Sequence, residues 1–195
     1  MSRALFPGWR PSDDEAARLA PVAAALRGGT RKLQLRLQVR RPDQWHATLC
    51  FIGYDVGHLV TPPLLDAFAA AAARIPPHRF SIERLTYWPQ SGAVVALPFG
   101  CPPLQALCDA TRDATRRCGI SPLQATTQPH VTLAYLDKHL ASQDWLRDID
   151  CTTAGPFVVD RFELLFNPGG RYDALESWTL AGAELPRPPE QGTLL

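Results

Sequence analysis

Two short segments of the chain, one in each half, repeat the same pattern of residue types. The segment 45–52 reads Trp-His-Ala-Thr-Leu-Cys-Phe-Ile, and the segment 129–136 reads Pro-His-Val-Thr-Leu-Ala-Tyr-Leu. Polar and apolar residues alternate through most of both, which is typical of a β-strand with one buried face. A chain with two such copies is constrained to a fold that gives two similar strands comparable surroundings.

In the first segment, the alternation predicts which side chains share a face of the strand. His46 and Thr48 lie on one face, and the opposite face carries Ala47, Leu49 and Phe51. We therefore expect the histidine and the threonine to be accessible while the three apolar residues enter the core.

The second segment repeats this arrangement with His130 and Thr132. Imidazole titrates near neutral pH, so one histidine accepts a proton while the other donates one. A threonine hydroxyl on the same face donates a hydrogen bond to an anionic oxygen. A single histidine on a strand is usually a surface or core residue, but the matched pair favours an active site for attack on a phosphodiester without a metal.

The repeated His-x-Thr-Leu signature resembles that of the 2H phosphoesterases. Within that group it is most similar to the bacterial RNA 2′,3′-cyclic phosphodiesterases, also called 2′-5′ RNA ligases. The similar segments are an opening strand, the two motifs and a final hairpin, at 3–6, 46–53, 128–134 and 162–172. The resemblance implies an α+β fold with two pseudo-symmetric lobes of antiparallel sheet, outer helices and an active-site cleft between the lobes.

The resemblance also implies an activity, which is metal-independent hydrolysis of RNA 2′,3′-cyclic phosphate ends to a phosphomonoester. A 2′-phosphate is the expected product, and the reverse 2′-5′ RNA ligation belongs to the same expectation. The catalytic residues are then His46, as general acid, and His130, as base. Thr48 and Thr132 bind the phosphate, and no metal or cofactor takes part. Tyr135 stands where the family often has an arginine and is the candidate substrate-binding residue.

Two other functions are compatible with these residues. The first is a non-catalytic nucleotide- or RNA-binding module, which Tyr135 in place of an arginine favours. The second is a metal hydrolase that uses His46 and His130 as ligands, and the lack of a carboxylate in either motif argues against it. Turnover of a cyclic nucleotide separates the enzyme from the binding module, and a chelator separates it from the metal hydrolase.

Composition limits the organisation of the chain and its partners. A hydrophobic content of 46% in 195 residues is enough for one core, so we predict a single domain over 1–182. The proline-rich residues 183–195 are predicted to be disordered. The net charge of +1 gives no global attraction to nucleic acid. The densest basic stretch is interpreted as an RNA contact or as a solvated strand face, and it contains Arg31, Lys32, Arg36, Arg40 and Arg41.

The cysteines and the apolar runs bear on the location of the protein. Five cysteines without Cys-x-x-Cys spacing predict neither a disulfide framework nor a structural zinc site. No apolar run precedes Pro7, and no stretch is long and apolar enough for a membrane span. We therefore expect a cytoplasmic monomer, with RNA ends or small cyclic nucleotides as substrates and no membrane partner.

Caps, breakers and periodicity predict the remaining elements. A helix begins after Ser12 and ends near Arg27 at two glycines, with a kink or break at Pro21. The other predicted helices cover 62–75, a segment from Pro102 or Pro103 to about 118 and, as a short one, 145–149. The other predicted strands cover 3–6, 33–39, 80–88, 93–97, 157–166 and 172–180. Three aromatic residues are candidates either for stacking on a base or for packing: Trp9, Trp88 and Tyr135.

Overall fold

The computed structural model describes residues 3–32, 36–136 and 144–183, without the side chains of Arg31 and Lys32. Residues 184–195 lie outside this set, so the disorder predicted for the end of the chain stays a prediction. The same holds for residues 33–35 of the strand predicted before the first motif.

The described residues form three α-helices, thirteen short strands and four 3₁₀ helices. The helices are α1 (Asp13–Lys32), α2 (Pro62–Ala72) and α3 (Pro102–Arg117). The strands of the first half are β1 (Ala4–Trp9), β2 (Leu37–Val39), β3 (Ala47–Thr48), β4 (Cys50–Phe51), β5 (Gly53–Tyr54), β6 (His78–Phe80), β7 (Ile82–Trp88) and β8 (Ala93–Pro98). The strands of the second half are β9 (Gln124–Ala125), β10 (Val131–Leu136), β11 (Phe157–Val159), β12 (Arg161–Asn167) and β13 (Asp173–Thr179). The 3₁₀ helices are Pro42–Gln44, Gly57–Leu59, Asp144–Leu146 and Thr152–Ala154.

The main sheet is antiparallel and has the strand order β13-β12-β1-β3-β10-β8-β7. The two motif strands, β3 and β10, lie in its middle; β3 is followed outward by three antiparallel strands and β10 by two. β5 pairs with β1 on one side of the centre, and β2 pairs with β10 on the other. The predicted α+β fold with two similar halves of antiparallel sheet is confirmed, and the halves join where Ala47 pairs with Val131.

The core is continuous through both halves and contains the apolar faces of the helices. α2 buries Leu64 and Phe68, and α3 buries Leu104 and Leu107. Trp9 is also part of this core, because it is 2% exposed and its indole N–H donates to the carbonyl oxygen of Val158 at 2.9 Å. Trp9 is therefore a packing residue and not a surface for stacking on a base.

Helix α1 begins as predicted and ends later than predicted. The Ser12 N–H donates to the Glu15 carboxylate at 2.8 Å, and the Glu15 N–H donates to the Ser12 hydroxyl at 3.4 Å, which is a capping box. The prediction that the helix ends near Arg27 is wrong, because it continues through both glycines to Lys32, and Pro21 does not interrupt it. Gly29 lies inside the helix where the ring of Trp145 packs so closely that a Cβ would lie 2.9 Å from Cε3.

Three other predicted boundaries change because the partners of the segments change. The predicted strand 157–166 is two strands, since β11 pairs with β6 while β12 pairs with β1 and β13. The segment 47–54 is likewise divided, since Cys50 and Phe51 pair with β9 while the residues on either side pair with β1. α2 ends at Ala72 and not at Ile75. The carbonyl oxygen of Ala72 accepts a hydrogen bond from the N–H of Ala181 at 3.1 Å.

Two further findings concern the cysteines and the helices. All five cysteines lie within the described residues and are free thiols. None of the helices in the described ranges combines the length and the apolar character that a membrane crossing needs.

Candidate active site

The two motif strands are adjacent and antiparallel. Ala47 pairs with Val131. Extending this register by one residue in each direction places His46 opposite Thr132 and Thr48 opposite His130. Side chains directly opposite each other have Cβ atoms about 5 Å apart, and diagonal neighbours about 7–8 Å apart. His46 and His130 are therefore diagonal neighbours on the same face of the sheet.

Each imidazole is held by the same backbone contact. Nδ1 of His46 lies 2.8 Å from the carbonyl oxygen of Gln44, and Nδ1 of His130 lies 2.9 Å from that of Gln128. A carbonyl oxygen only accepts, so Nδ1 carries the hydrogen in both rings. In the neutral ring, Nε2 is then the basic nitrogen, and it has no hydrogen-bond partner among the described residues. Both Nε2 atoms are therefore free to accept a proton, and each can donate it once its ring is charged.

Burial keeps both rings neutral in the free protein. It lowers the pKa of His46 to about 4; the hydrogen bond to Gln44 opposes this shift, and the charges of Arg40, His130 and Arg10 add to it. Burial also lowers the pKa of His130, opposed by the hydrogen bond to Gln128. At neutral pH the site thus presents two basic nitrogens and no imidazolium until an anion enters.

Aromatic side chains pack against both imidazoles. The ring centroid of His46 lies 5.0 Å from that of Phe6 and 4.6 Å from that of Tyr172. The ring of His130 lies 4.3 Å from that of Trp88, measured between centroids. These contacts fix the planes of the rings and account for their desolvation.

A cavity of about 360 Å³ opens beside the paired motif strands. We call it the motif cleft, and its lining includes His130, Thr48 and Thr132. His46 adjoins it through its position opposite Thr132. Neither threonine hydroxyl has a hydrogen-bond partner within the described part of the chain. The hydroxyl of Thr126 instead donates to the backbone carbonyl of Thr48 at 3.0 Å, which fixes the strand and leaves the Thr48 hydroxyl available.

Both motif strands depart from strict alternation after the threonine, and in each an aromatic side chain consequently lines the motif cleft. The register of β10 shifts between Thr132 and Ala134, and Tyr135 lines the motif cleft. In the first motif the strand breaks at Leu49, and Phe51 also lines the cleft. The prediction that Phe51 faces the core with Leu49 is wrong. An irregular strand re-aims the side chains beyond it, and here it brings the aromatic residue five positions after each histidine into the cleft.

The final hairpin positions the segment that precedes His46. The side-chain amide of Gln44 donates to the carbonyl oxygen of Gly170 at 2.8 Å, and Arg41 donates to the same oxygen at 2.9 Å. This hairpin also carries Tyr172, which packs on His46. Sequence reasoning missed the roles of Gln44 and Tyr172. A glutamine two residues before each histidine is a visible repeat, although the contact to the ring uses only the backbone carbonyl.

The basic stretch before the first motif divides into residues with different surroundings. Arg36 is exposed, and Arg41 pairs with Asp43 at 3.0 Å. Arg40 is partly buried and donates to the hydroxyl of Tyr172 at 3.0 Å. Arg36, Arg40 and Arg41 therefore do not share one environment, and the side chains of Arg31 and Lys32 lie outside the described residues.

Cavity size does not single out the motif cleft. Larger depressions of about 650 Å³ and 500 Å³ lie near Arg10 and near Asp148, and no histidine lines either. Within the described ranges, no three His, Cys, Asp or Glu side chains come together as a candidate metal site. The motif cleft is distinguished by a lining that brings His130, Thr48 and Thr132 together beside the strand that follows His46.

Comparison with known families and structures gives one consistent result. Residues 11–171 match the model of the 2′-5′ RNA ligase superfamily, which is more than half of the chain. A search among curated protein sequences finds no match.

Solved structures share the fold at low sequence identity. TT0787 of Thermus thermophilus is 21% identical with a TM-score of 0.71, over 93% of this chain and all of that one. E. coli LigT complexed with NADP⁺ is 17% identical with a TM-score of 0.63, over 93% of this chain and 99% of that one. E. coli LigT complexed with 3′-AMP is 19% identical with a TM-score of 0.61, over 92% of this chain and 98% of that one.

Proposed function

The chain belongs to the 2′-5′ RNA ligase superfamily, and from this premise we propose that it opens RNA 2′,3′-cyclic phosphate ends without a metal, leaving a 2′-phosphomonoester. The observation that carries the proposal is the register of β3 and β10, in which Ala47 pairs with Val131. This register makes His46 and His130 diagonal neighbours, each with a threonine opposite it, and we expect the phosphate to bind between the two imidazoles. The nucleotides bound to E. coli LigT in its solved structures support a nucleotide substrate here.

The proposed step uses one nitrogen of each histidine. Nε2 of His130 takes a proton from a water molecule, and the water oxygen forms a bond to phosphorus. The bond from phosphorus to the 3′ oxygen of the ribose breaks, and Nε2–H of His46 protonates that oxygen. Thr48 and Thr132 donate hydrogen bonds to the non-bridging oxygens as their negative charge increases. The products are a 2′-phosphate and a free 3′-hydroxyl.

His46 can act as the general acid only after the substrate has raised its pKa. His46 is neutral in the free protein at neutral pH, because burial has lowered its pKa to about 4. An anionic phosphate next to an imidazole favours the charged form and raises the pKa. The proton that His46 later donates is thus acquired from solvent when the phosphate binds.

The same groups also account for ligation. If the 5′-hydroxyl of another RNA replaces water, His130 deprotonates that hydroxyl and the product carries a 2′-5′ phosphodiester. No additional energy source is needed, because one phosphodiester bond is exchanged for another.

Turnover of a defined RNA end tests the proposal. A short oligoribonucleotide ending in a 2′,3′-cyclic phosphate is incubated with the protein in EDTA, and the end groups are identified by mass spectrometry and ³¹P NMR. We expect a 2′-phosphate, and a rate at least about a hundredfold lower after His46→Ala or His130→Ala. His58→Ala, at an exposed histidine in the 3₁₀ helix Gly57–Leu59, is the matched control and keeps the wild-type rate.

The competing functions give different results in the same experiment. Binding of the oligonucleotide without turnover favours the binding module, for which Tyr135 in the cleft is the supporting observation. Loss of activity in EDTA with recovery on addition of zinc or manganese favours the metal hydrolase.

A further inference from the structure

The four motif residues offer hydrogen bonds to a phosphate but no permanent positive charge. A cyclic phosphodiester carries one negative charge, and a second develops as the ring opens to a phosphomonoester. Both imidazoles are neutral in the free protein, and threonine hydroxyls are uncharged. A nearby group with a fixed positive charge would therefore favour the transition state and the product over the substrate.

Arg40 is linked to the imidazole of His46 by Tyr172, which contacts both residues. Its backbone N–H donates to the carbonyl oxygen of Leu133 in β10 at 2.8 Å, which fixes the chain beside the second motif. Its Nη2 donates to the hydroxyl of Tyr172 at 3.0 Å, and the Tyr172 ring packs on His46. Arg40 is also the first of the charges that lower the pKa of His46, so its field reaches that ring.

A second contact orients the guanidinium from the side of the cleft. Its central carbon lies 5.8 Å from the centroid of the Tyr135 ring, within the range of a cation–π interaction. Tyr135 itself lines the motif cleft and is 37% exposed. The guanidinium of Arg40 thus contacts Tyr172, which packs on His46, and Tyr135, which lines the motif cleft.

The neighbouring arginines are neutralised, and Arg40 is not. Arg10 pairs with Glu163 at 2.6 Å, and Arg41 pairs with Asp43 at 3.0 Å. Within the described ranges, no carboxylate lies within salt-bridge distance of Arg40, and the pKa of Asp43 is lowered chiefly by its hydrogen bond from Arg41 and only last by the charge of Arg40. Its charge and its remaining N–H donors are therefore available to an anion.

We propose that Arg40 is a phosphate-binding residue of the motif cleft, which supplies the fixed positive charge for the phosphate from the end of β2. This inference rests on the proposed function for its substrate. It adds a residue outside both motifs, held in place by two tyrosines. Because its charge is fixed, Arg40 binds a phosphate dianion more strongly than a monoanion.

The test measures phosphate binding separately from turnover. Inorganic phosphate is titrated into the wild-type protein and into Arg40→Gln, and binding is followed by NMR of the histidine side chains. We expect phosphate affinity and kcat/KM for the cyclic phosphate to fall by roughly 10- to 100-fold, as for loss of a hydrogen bond between charged groups. The matched control is Arg27→Gln, at an exposed position of α1, and it changes neither quantity.

Two further variants separate a binding role from a structural one. Arg40→Lys keeps the charge and loses the planar fork, and we expect it to retain part of the affinity. Tyr135→Arg in the Arg40→Gln background returns a positive charge to the space beside the cleft, and we expect it to restore phosphate binding. Thermal unfolding of each variant checks that the fold is intact.

The outcomes distinguish this inference from the proposed function. Unchanged phosphate affinity in folded Arg40→Gln overturns the inference, as does a wild-type protein that binds no phosphate. Arg40-dependent phosphate binding without turnover of the cyclic phosphate supports the inference and overturns the proposed function.

Discussion

The two imidazoles differ in their surroundings although the motifs that carry them follow the same pattern of residue types. His46 packs against two aromatic rings and lies within reach of the charge of Arg40, whereas His130 packs against Trp88. Their common feature is the hydrogen bond from Nδ1 to the carbonyl two residues earlier. The same local backbone contact thus fixes the tautomer of both rings, while their distant neighbours set how readily each is protonated.

The pH dependence of kcat/KM follows from the lowered pKa values. A bell-shaped profile is expected for one acid and one base, and kcat/KM reports the pKa values of the free enzyme. The pKa of His46 is about 4 and that of His130 is also lowered. We therefore expect the maximum of kcat/KM below about pH 6.5, the ordinary pKa of histidine. The maximum of kcat is expected at a higher pH, because bound phosphate raises the pKa of both histidines. A maximum of kcat/KM above about pH 7 would contradict this description of the site.

The assignment of acid and base is tested with an activated leaving group. A nitrophenyl phosphodiester needs little protonation of its leaving oxygen, so His46→Ala should regain much of its lost rate on this substrate. His130→Ala should not, because attack by water still needs a base. The comparison of the two variants on both substrates is the measurement, and rescue of His130→Ala alone would reverse the roles.

Each threonine hydroxyl is expected to act on the transition state. Thr48→Val and Thr132→Val replace an unpaired hydroxyl by a methyl group of similar size, so stability should change little. The rate should fall by roughly ten- to a thousandfold, as for the loss of one oxyanion donor. Steady-state kinetics and thermal unfolding of both variants give the two numbers. Thr126→Val is a useful comparison, because that hydroxyl bonds a backbone carbonyl and its loss should affect stability more than rate.

At the scale of elements, local rules predicted the start of α1 and the end of α3, but not the end of α1. The capping box of Ser12 and Glu15 starts α1, and Gly119, with a φ of +75°, ends α3 as predicted. The glycines at 28 and 29 were expected to end α1 in the same way. The helix instead continues through both glycines. At Gly29 the absence of a side chain leaves room for the ring of Trp145, and the backbone there is not left-handed.

The two glycines of α1 provide a matched pair of substitutions. Nothing lies within 4 Å of a Cβ built on Gly28, so Gly28→Ala should stabilise the protein by about 0.5–1 kcal/mol through helix propensity. A Cβ on Gly29 would lie 2.9 Å from Cε3 of Trp145, so Gly29→Ala should lose this gain or destabilise the protein. Denaturant unfolding measures both, and equal effects at the two positions would argue against this packing of Trp145.

For the whole molecule, the two halves of the sheet meet at the motif strands, so the site lies at the centre of the fold. The histidines there are partly buried and neutral, so their protonation is coupled to the free energy of unfolding of the whole protein. The unfolded chain binds a proton at His46 below a pKa of about 6.5, whereas the folded chain does so only below about 4. Unfolding therefore takes up protons between these values, and the contribution of His46 to stability is complete above about pH 6.5 and is lost as the pH falls toward about 4.

Substitution of His46 tests this linkage. On going from about pH 7.5 to about pH 5, we expect the free energy of unfolding of the wild type to fall by more than that of His46→Gln, which is neutral at every pH. Chemical denaturation at the two pH values is the measurement. An equal fall in both proteins would show that His46 is protonated as readily in the fold as in the unfolded chain.

The sequence by itself determined the features that depend on near neighbours. Alternation placed His46 beside Thr48 and His130 beside Thr132 on strand faces, and the matched motifs indicated the family and the α+β fold. The tertiary structure alone decided which strands pair, where each motif strand becomes irregular, and what surrounds the imidazoles. Tyr172 reaches Arg40 across 132 positions of the chain, and Gln44 reaches Gly170 across 126. Local periodicity carries no information about contacts at such separations, because they form only when distant segments are buried together.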